Sequence, residues 1–310
     1  MEWLASLFTV IGGVYGTWRF IKHRIHKEST SDQKQQTKDD FPCDVYALVG
    51  RFVEIYKAHG IERTQIPRFL GEDGGVVLAD VSTDERLLHA LSEKVLKCTC
   101  SKFGISREWL DGKDVPIYPR IWYDKNMKGF IDFLEGLKAE FDEVEFFAIK
   151  CEKDSLQKNK ERFPIAFVCR GKLDHWGSLG EESIWRHYPL NDTLYWGYDR
   201  TRFQMKAMAL VAWQFEIPMF GSELPQTDVE KIIQGEVFPG PYLENLFRGA
   251  WHLDDYIFAN GESVCAKDVA DAQKLYEVMK RLGWMDYLVK KTGSVPRSIF
   301  ERSEVGVQSI

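Results

Sequence analysis

Two stretches of this 310-residue chain are defined by what they lack. From Trp3 to Trp18 no side chain carries a charge, and from Glu28 to Asp40 no side chain is apolar. The second stretch, ESTSDQKQQTKDD, has nothing to bury, so residues 28–41 are expected to form a flexible linker. Also missing are a phosphate-binding loop, a G-x-S-x-G elbow, an H-E-x-x-H pair and a dinucleotide fingerprint, the commonest signatures of nucleotide-dependent and hydrolytic enzymes. Basic residues are not in excess: 41 Lys and Arg stand against 47 Asp and Glu, a net charge of −6. That balance excludes a surface built mainly to hold nucleic acid. The six cysteines follow no disulfide spacing and suit a reducing compartment. Cys98-Thr99-Cys100 is too tightly spaced for a structural zinc site, so no metal and no cofactor are expected. There is no internal repeat and no long low-complexity segment.

What is present begins with the apolar run itself. Residues 3–18, extended by Phe20 and Ile21 past an Arg19 able to snorkel, approach the roughly 20 residues a spanning helix needs. Residues 1–27 are therefore expected to be a membrane anchor, with Trp3, Trp18, Arg19, Lys22 and Arg24 at the lipid interface. The cationic cluster follows the apolar run, which predicts an N-terminus outside and a body in the cytoplasm, at an inner membrane. Glu2 is the only charged side chain before the run and no A-x-A pattern follows it, unlike a cleaved signal peptide. Gly12 and Gly16 form one GxxxG pair, through which two such helices would meet as a homo-oligomer.

From Val45 the spacing is helical, with Tyr46, Leu48, Val49, Phe52, Val53, Ile55 and Tyr56 in one stripe ended by Gly60. A long helix is predicted from Ser82 or Thr83 to Phe103, with Leu87, Leu88, Leu91, Val95 and Leu96 on one face and Gly104 as its stop. A short second helix carries Trp109 and Leu110, and Trp109 is expected to be buried against the long one.

Gly60-Ile61-Glu62-Arg63-Thr64-Gln65-Ile66-Pro67-Arg68-Phe69-Leu70-Gly71 resembles the second helix of the Cro/CI-type repressor helix-turn-helix domain. Phe103 to Gly112 resembles that domain's closing motif. The resemblance covers about residues 45–112 and implies a small all-helical module, residues 42–113, of bacterial type. In the family a recognition helix follows the second glycine and enters the major groove. Here that place reads Glu72-Asp73-Gly74-Gly75-Val76-Val77-Leu78-Ala79-Asp80, and between Phe41 and Gly112 nine basic residues face eleven acidic ones. A loop is expected there, and Pro67 is expected to break or kink the preceding helix. The module then lacks both the element and the charge for reading DNA.

Residues 114–291 read as an α+β domain with an antiparallel sheet and helices packed on one face. Phe130, Phe133, Leu134, Leu137 and Phe141 mark a helix; Val144–Lys150 and Pro164–Cys169 read as strands; Ser183–Tyr188 and Thr193–Tyr198 read as a hairpin about Pro189-Leu190-Asn191-Asp192. Helices follow over Phe203–Phe215, from a Thr227–Glu230 capping box, over Tyr242–Asp255 and over Ala266–Leu282. The tail, residues 292–310, has little to pack. The whole is α+β: a membrane-anchor helix, an all-helical module, then the sheet domain.

Aromatic residues crowd the segment from Trp176 to Trp251, and such a cluster serves either as core or as the wall of a ligand site. As a ligand site it would use Trp185, His187 and Trp196, with Arg200 or Arg202 meeting an anionic group. His252 and Asp255 stand three apart, a spacing open to acid/base work and common on charged helix surfaces. The expected function is a membrane-tethered regulatory or interaction protein that binds a small ligand or a protein partner. A DNA-binding regulator and an enzyme in residues 114–291 are the alternatives.

Overall fold

A computed structural model of the chain describes residues 43–156, 163–173, 183–246, 248–253, 256–257 and 266–294. The expected anchor and linker, with Trp3, Gly12, Gly16, Trp18, Arg19, Lys22 and Arg24, lie outside the described residues, as does the tail from residue 295. The described residues from Asp44 onward make one compact unit holding both the helical region and the sheet.

Helix α1 (Cys43–Ala58) buries Val49, Phe52, Ile55 and Tyr56, the stripe its spacing prescribes, and Gly60 turns the chain away at φ +76°. After a single 3-10 turn at Arg63–Gln65 comes α2 (Ile66–Leu70). Pro67 sits in the first turn of α2, where its missing N–H costs nothing, so it starts the helix and does not break one. Between Leu70 and Asp84 the backbone makes only two 3-10 turns, Glu72–Gly74 and Asp80–Ser82, so the expected loop stands where a recognition helix would be. The long helix is divided: α3 (Asp84–Ala90) and α4 (Glu93–Phe103) meet at Leu91-Ser92. Ser92 adopts an extended conformation and its hydroxyl accepts from Val95 N at 3.3 Å, a fresh N-cap that hydrophobic spacing does not encode. Gly104 ends α4 in the left-handed region, and α5 (Arg107–Leu110) follows. Trp109 is only half-buried, its ring edge-on to Phe238 at 5.6 Å, because Leu110 takes the inward position.

Helix α6 (Met127–Glu140) leads to strands β1 (Val144–Cys151), β2 (Pro164–Leu173) and β3 (Ile184–Tyr195). Helix α7 (Asp199–Gln214) then carries the chain back to β4 (Met219–Leu224), giving the order β3-β2-β1-β4. The sheet is mixed and not antiparallel: β1 pairs antiparallel with β2 but parallel with β4, because α7 returns β4 alongside β1 in the same direction. Sequence spacing misses β4, since Met219-Phe220-Gly221-Ser222 has no alternation.

The expected hairpin at Pro189–Asp192 is a single strand. Proline is tolerated there because β3 is an edge strand, and its register against β2 steps from Ile165↔Leu194 to Phe167↔Leu190, a bulge that absorbs the turn-forming residues. The bulge is put to use. Asn191 N donates to Ile121 O and Asn191 Oδ1 accepts from Ile121 N, both at 2.7 Å, while Asp192 Oδ2 accepts from Tyr123 N at 2.8 Å.

Three cores result, and helices cover both faces of the sheet, not one. Phe146, Ala148, Ile165, Phe167 and Cys169 face α6, α7, α10 (Ala266–Arg281) and α11 (Trp284–Thr292). Phe147, Ile149, Ala166 and Val168, one residue out of step, face α8 (Gln226–Gln234) and α9 (Gly240–Asn245). Helix α8 starts directly after Pro225, without the Thr227 cap, and α9 stops at Asn245 so that the chain can cross to β4 as a Gly221–Trp251 bridge. The third core joins α1 to α5 with Ile184 of β3 and with Phe238. Thr292 and Ser294, expected in a loose tail, are tied down: Thr292 Oγ1 donates to Leu288 O at 3.0 Å and Gln214 Nε2 donates to Ser294 O at 3.1 Å.

Candidate ligand-binding clefts

His59 follows the last turn of α1, and its Nδ1 lies 2.6 Å from the Ile55 carbonyl. That carbonyl fixes Nδ1 as the protonated nitrogen and leaves Nε2 an acceptor, buried and without a partner. Its ring lies against Phe103 at 4.2 Å and against His187 of β3 at 5.2 Å. His187 is buried too, and neither of its nitrogens has a partner. Gly240, at the start of α9, seals this end: a Cβ there would stand 2.6 Å from Ala58 O and 3.1 Å from His187 Cε1. Burial pushes the pKa of His59 down to about 4 against the pull of the Ile55 carbonyl. Burial, then His59 and Arg170, push His187 well below the usual imidazole range. Both rings are held neutral.

Beside this pair a cleft of about 340 Å³ runs along the open edge of β3. Cys100, Ser101, Gly104 and Ile105 form one wall at the end of α4; Tyr118, Pro119 and Ile121 come from the connector between α5 and α6, residues 111–126; Arg186 to Pro189 come from β3. The bulge explains the placement, since Asn191 and Asp192 pin residues 121–123 to the strand and bring Tyr118 beside it. Five buried polar atoms of these lining residues have no hydrogen-bond partner: Tyr118 Oη, Arg186 Nε, both nitrogens of His187 and Tyr188 Oη. Buried polar groups in native proteins are almost always satisfied, so this concentration around one cleft points to water or a ligand as their partner.

A second, wider cleft of about 650 Å³ lies between α5, the connector, the β3 bulge and the end of α8. Trp109, Lys113, Arg120 and Glu236 line it, with Trp122 on its rim at 62% exposure. Lys113 is spoken for by Glu108 at 2.7 Å. Opposite charges face each other across it, so it favours no sign of ligand.

The five residues singled out in the sequence do not form one site. Trp185 and His187 share a face of β3, but Trp185 covers the guanidinium of Arg170 at 3.9 Å, and Arg170 is paired with Glu145. Trp196 is in the core, edge-on to Trp251 and Tyr256, with Lys206 Nζ over its ring at 5.7 Å. Arg202, also buried, donates to Trp196 O at 2.8 Å and pairs with Asp199, whereas Arg200 is exposed. Only His187 reaches a cleft. Tyr188 belongs to the aromatic cluster and Arg186 adjoins His187 in sequence, whereas Gly104 and Tyr118 carry no local signal of a site, because residues 104, 118 and 186–188 converge only in three dimensions.

Asp255, and with it the His252–Asp255 pair, lies outside the described residues. Among the described residues no group of three or more His, Cys, Asp or Glu side chains is arranged to hold a metal ion, and no helix is long and apolar enough to cross a membrane. Comparison with family models, curated proteins and solved structures finds no match to this chain.

Proposed function

We propose that the chain is a membrane-tethered regulatory protein with a cytoplasm-facing body, and that the body responds to a small ligand taken up in the β3-edge cleft. The observation that carries the reading is the cleft's construction. One wall is the end of α4, whose Phe103 belongs to the helical core, and the other is β3, whose Tyr188 and Leu190 belong to the main core of the sheet. An occupant therefore bears on both at once, which is the requirement for a ligand to shift one against the other. The tether rests on the charge-free run and the cationic cluster after it. A role other than reading DNA is supported by the loop at Glu72–Gly75 and by the acidic balance of the helical region.

Two measurements test this. Small-fragment screening with the ¹⁵N-labelled protein should give saturable shifts at Ser101, Gly104 and Arg186 to Tyr188; hits confined to the Trp122 cleft would move the function there. Reporter fusions after Lys27 should be active only with a cytoplasmic reporter, and activity of a periplasm-only reporter would refute the orientation.

A further inference from the structure

We propose that the β3-edge cleft takes a small carboxylate with an apolar body, its charge met by the guanidinium of Arg186. The inference rests on the ligand-binding reading above and adds the class of ligand. Arg186 is the only charged side chain among the described residues that line the cleft, and no acidic one does. Among the described residues it pairs with Glu140 through Nη1 at 3.1 Å, largely exposed on the Glu140 side, and its guanidinium lies over the Tyr188 ring at 5.0 Å. Nε remains buried and unpartnered.

Gly104 lets the guanidinium lie close against the end of α4. A Cβ there would stand 3.1 Å from Arg186 Nε and 3.5 Å from Nη2. Gly104 sits at φ +70°, a conformation glycine adopts without cost, so one residue both ends α4 and admits Arg186 beside it. A guanidinium offers parallel N–H groups that match the spacing of carboxylate oxygens. Tyr118 and Tyr188 bring two unpartnered hydroxyls, and neutral His187 brings one donor and one acceptor. Ile105, Pro119, Ile121 and Pro189 supply apolar wall. The volume of about 340 Å³ lies at the small end of ligand sites.

The full chain, in zwitterionic detergent micelles, is titrated with cinnamate, cinnamamide and cinnamylamine, which share one carbon skeleton, and binding is read by saturation-transfer NMR. Cinnamate is expected to bind at least about tenfold tighter than the amide, with no saturable binding of the amine. Arg186→Gln should bring acid and amide to within about twofold of each other. Ser101→Trp, a change at an exposed position on the cleft wall, should remove all binding while circular dichroism and melting temperature stay at the wild-type values. If the amide binds as tightly as the acid, or Arg186→Gln leaves the preference intact, the carboxylate assignment falls and the ligand site stands. If no probe binds the wild type and its crystal structure holds only water in the cleft, or if binding survives Ser101→Trp, the ligand-binding reading falls with it.

Discussion

Lowering the pH from 7.5 to 5 should remove about 4 kcal/mol of stability through His59 and His187 alone. Each has its folded pKa below its unfolded value of 6.5. The fold therefore prefers the neutral ring, the contribution is fully present above pH 6.5, and it is lost as pH falls from 6.5 toward the folded pKa, about 4 for His59. At pH 5 an unfolded histidine gains about 2 kcal/mol from protonation that the buried ring forgoes, so two independent rings give roughly 4. The groups facing them leave this sign unchanged: Arg170 and the second imidazole oppose added positive charge, while the Ile55 carbonyl and the Phe103 ring favour an imidazolium but are outweighed by burial. Urea unfolding of the full chain at the two pH values, against His59→Phe, His187→Leu and the double variant, measures the effect. Each single variant should flatten the pH dependence by about half, and the double variant should nearly abolish this part of it. A double variant as pH-sensitive as the wild type, or a wild-type loss below about 1 kcal/mol, would refute the reasoning.

Other consequences are as direct. Trp109→Ala should cost about 1–2 kcal/mol in chemical denaturation, less than the roughly 3–5 of a fully enclosed aromatic, because Trp109 packs on the margin of the helical core and keeps part of its surface in solvent. Gly221→Ala should cost about 3 kcal/mol or leave the protein insoluble, since the added Cβ would stand 1.8 Å from Trp251 O; an unchanged urea midpoint would show that the Trp251 crossing yields freely. Fluorescence anisotropy should show no preference for one DNA duplex over its scrambled version at physiological salt, and nanomolar discrimination would mean that residues 72–82 form a groove-entering element after all.

Elements whose burial follows one regular period were legible in the sequence. Val49, Phe52, Ile55 and Tyr56 gave α1; Phe130, Leu134 and Leu137 gave α6; the apolar runs at 144–150 and 164–169 gave the two central strands. The misreadings share a cause, which is a local signal outweighed by tertiary context. Leu91 and Val95 stay on one stripe across the break at Ser92, so periodicity runs straight through it. Pro189 to Asp192 carry turn chemistry, yet the edge position of β3 and a bulge absorb it. The direction of β4 is set by the path of α7, a non-local property. Of the site, His187 alone could be named. Trp196 and Arg202 drew attention by chemical type, and the packing of α7 turned them into core.

The third core has a consequence for the order in which the protein is made. His59 and Trp109 pack against Phe238, which completes the cluster, and Phe238 leaves the ribosome roughly 130 residues after Trp109. At about 5–20 residues per second, α1 to α5 wait roughly 6–26 s before the residue that closes them is synthesised. Throughout that interval the nascent chain exposes an unfinished apolar face. A ribosome-stalled chain ending before Val237 should accordingly be protease-sensitive between α1 and α5, and one extended past Leu246 should be protected.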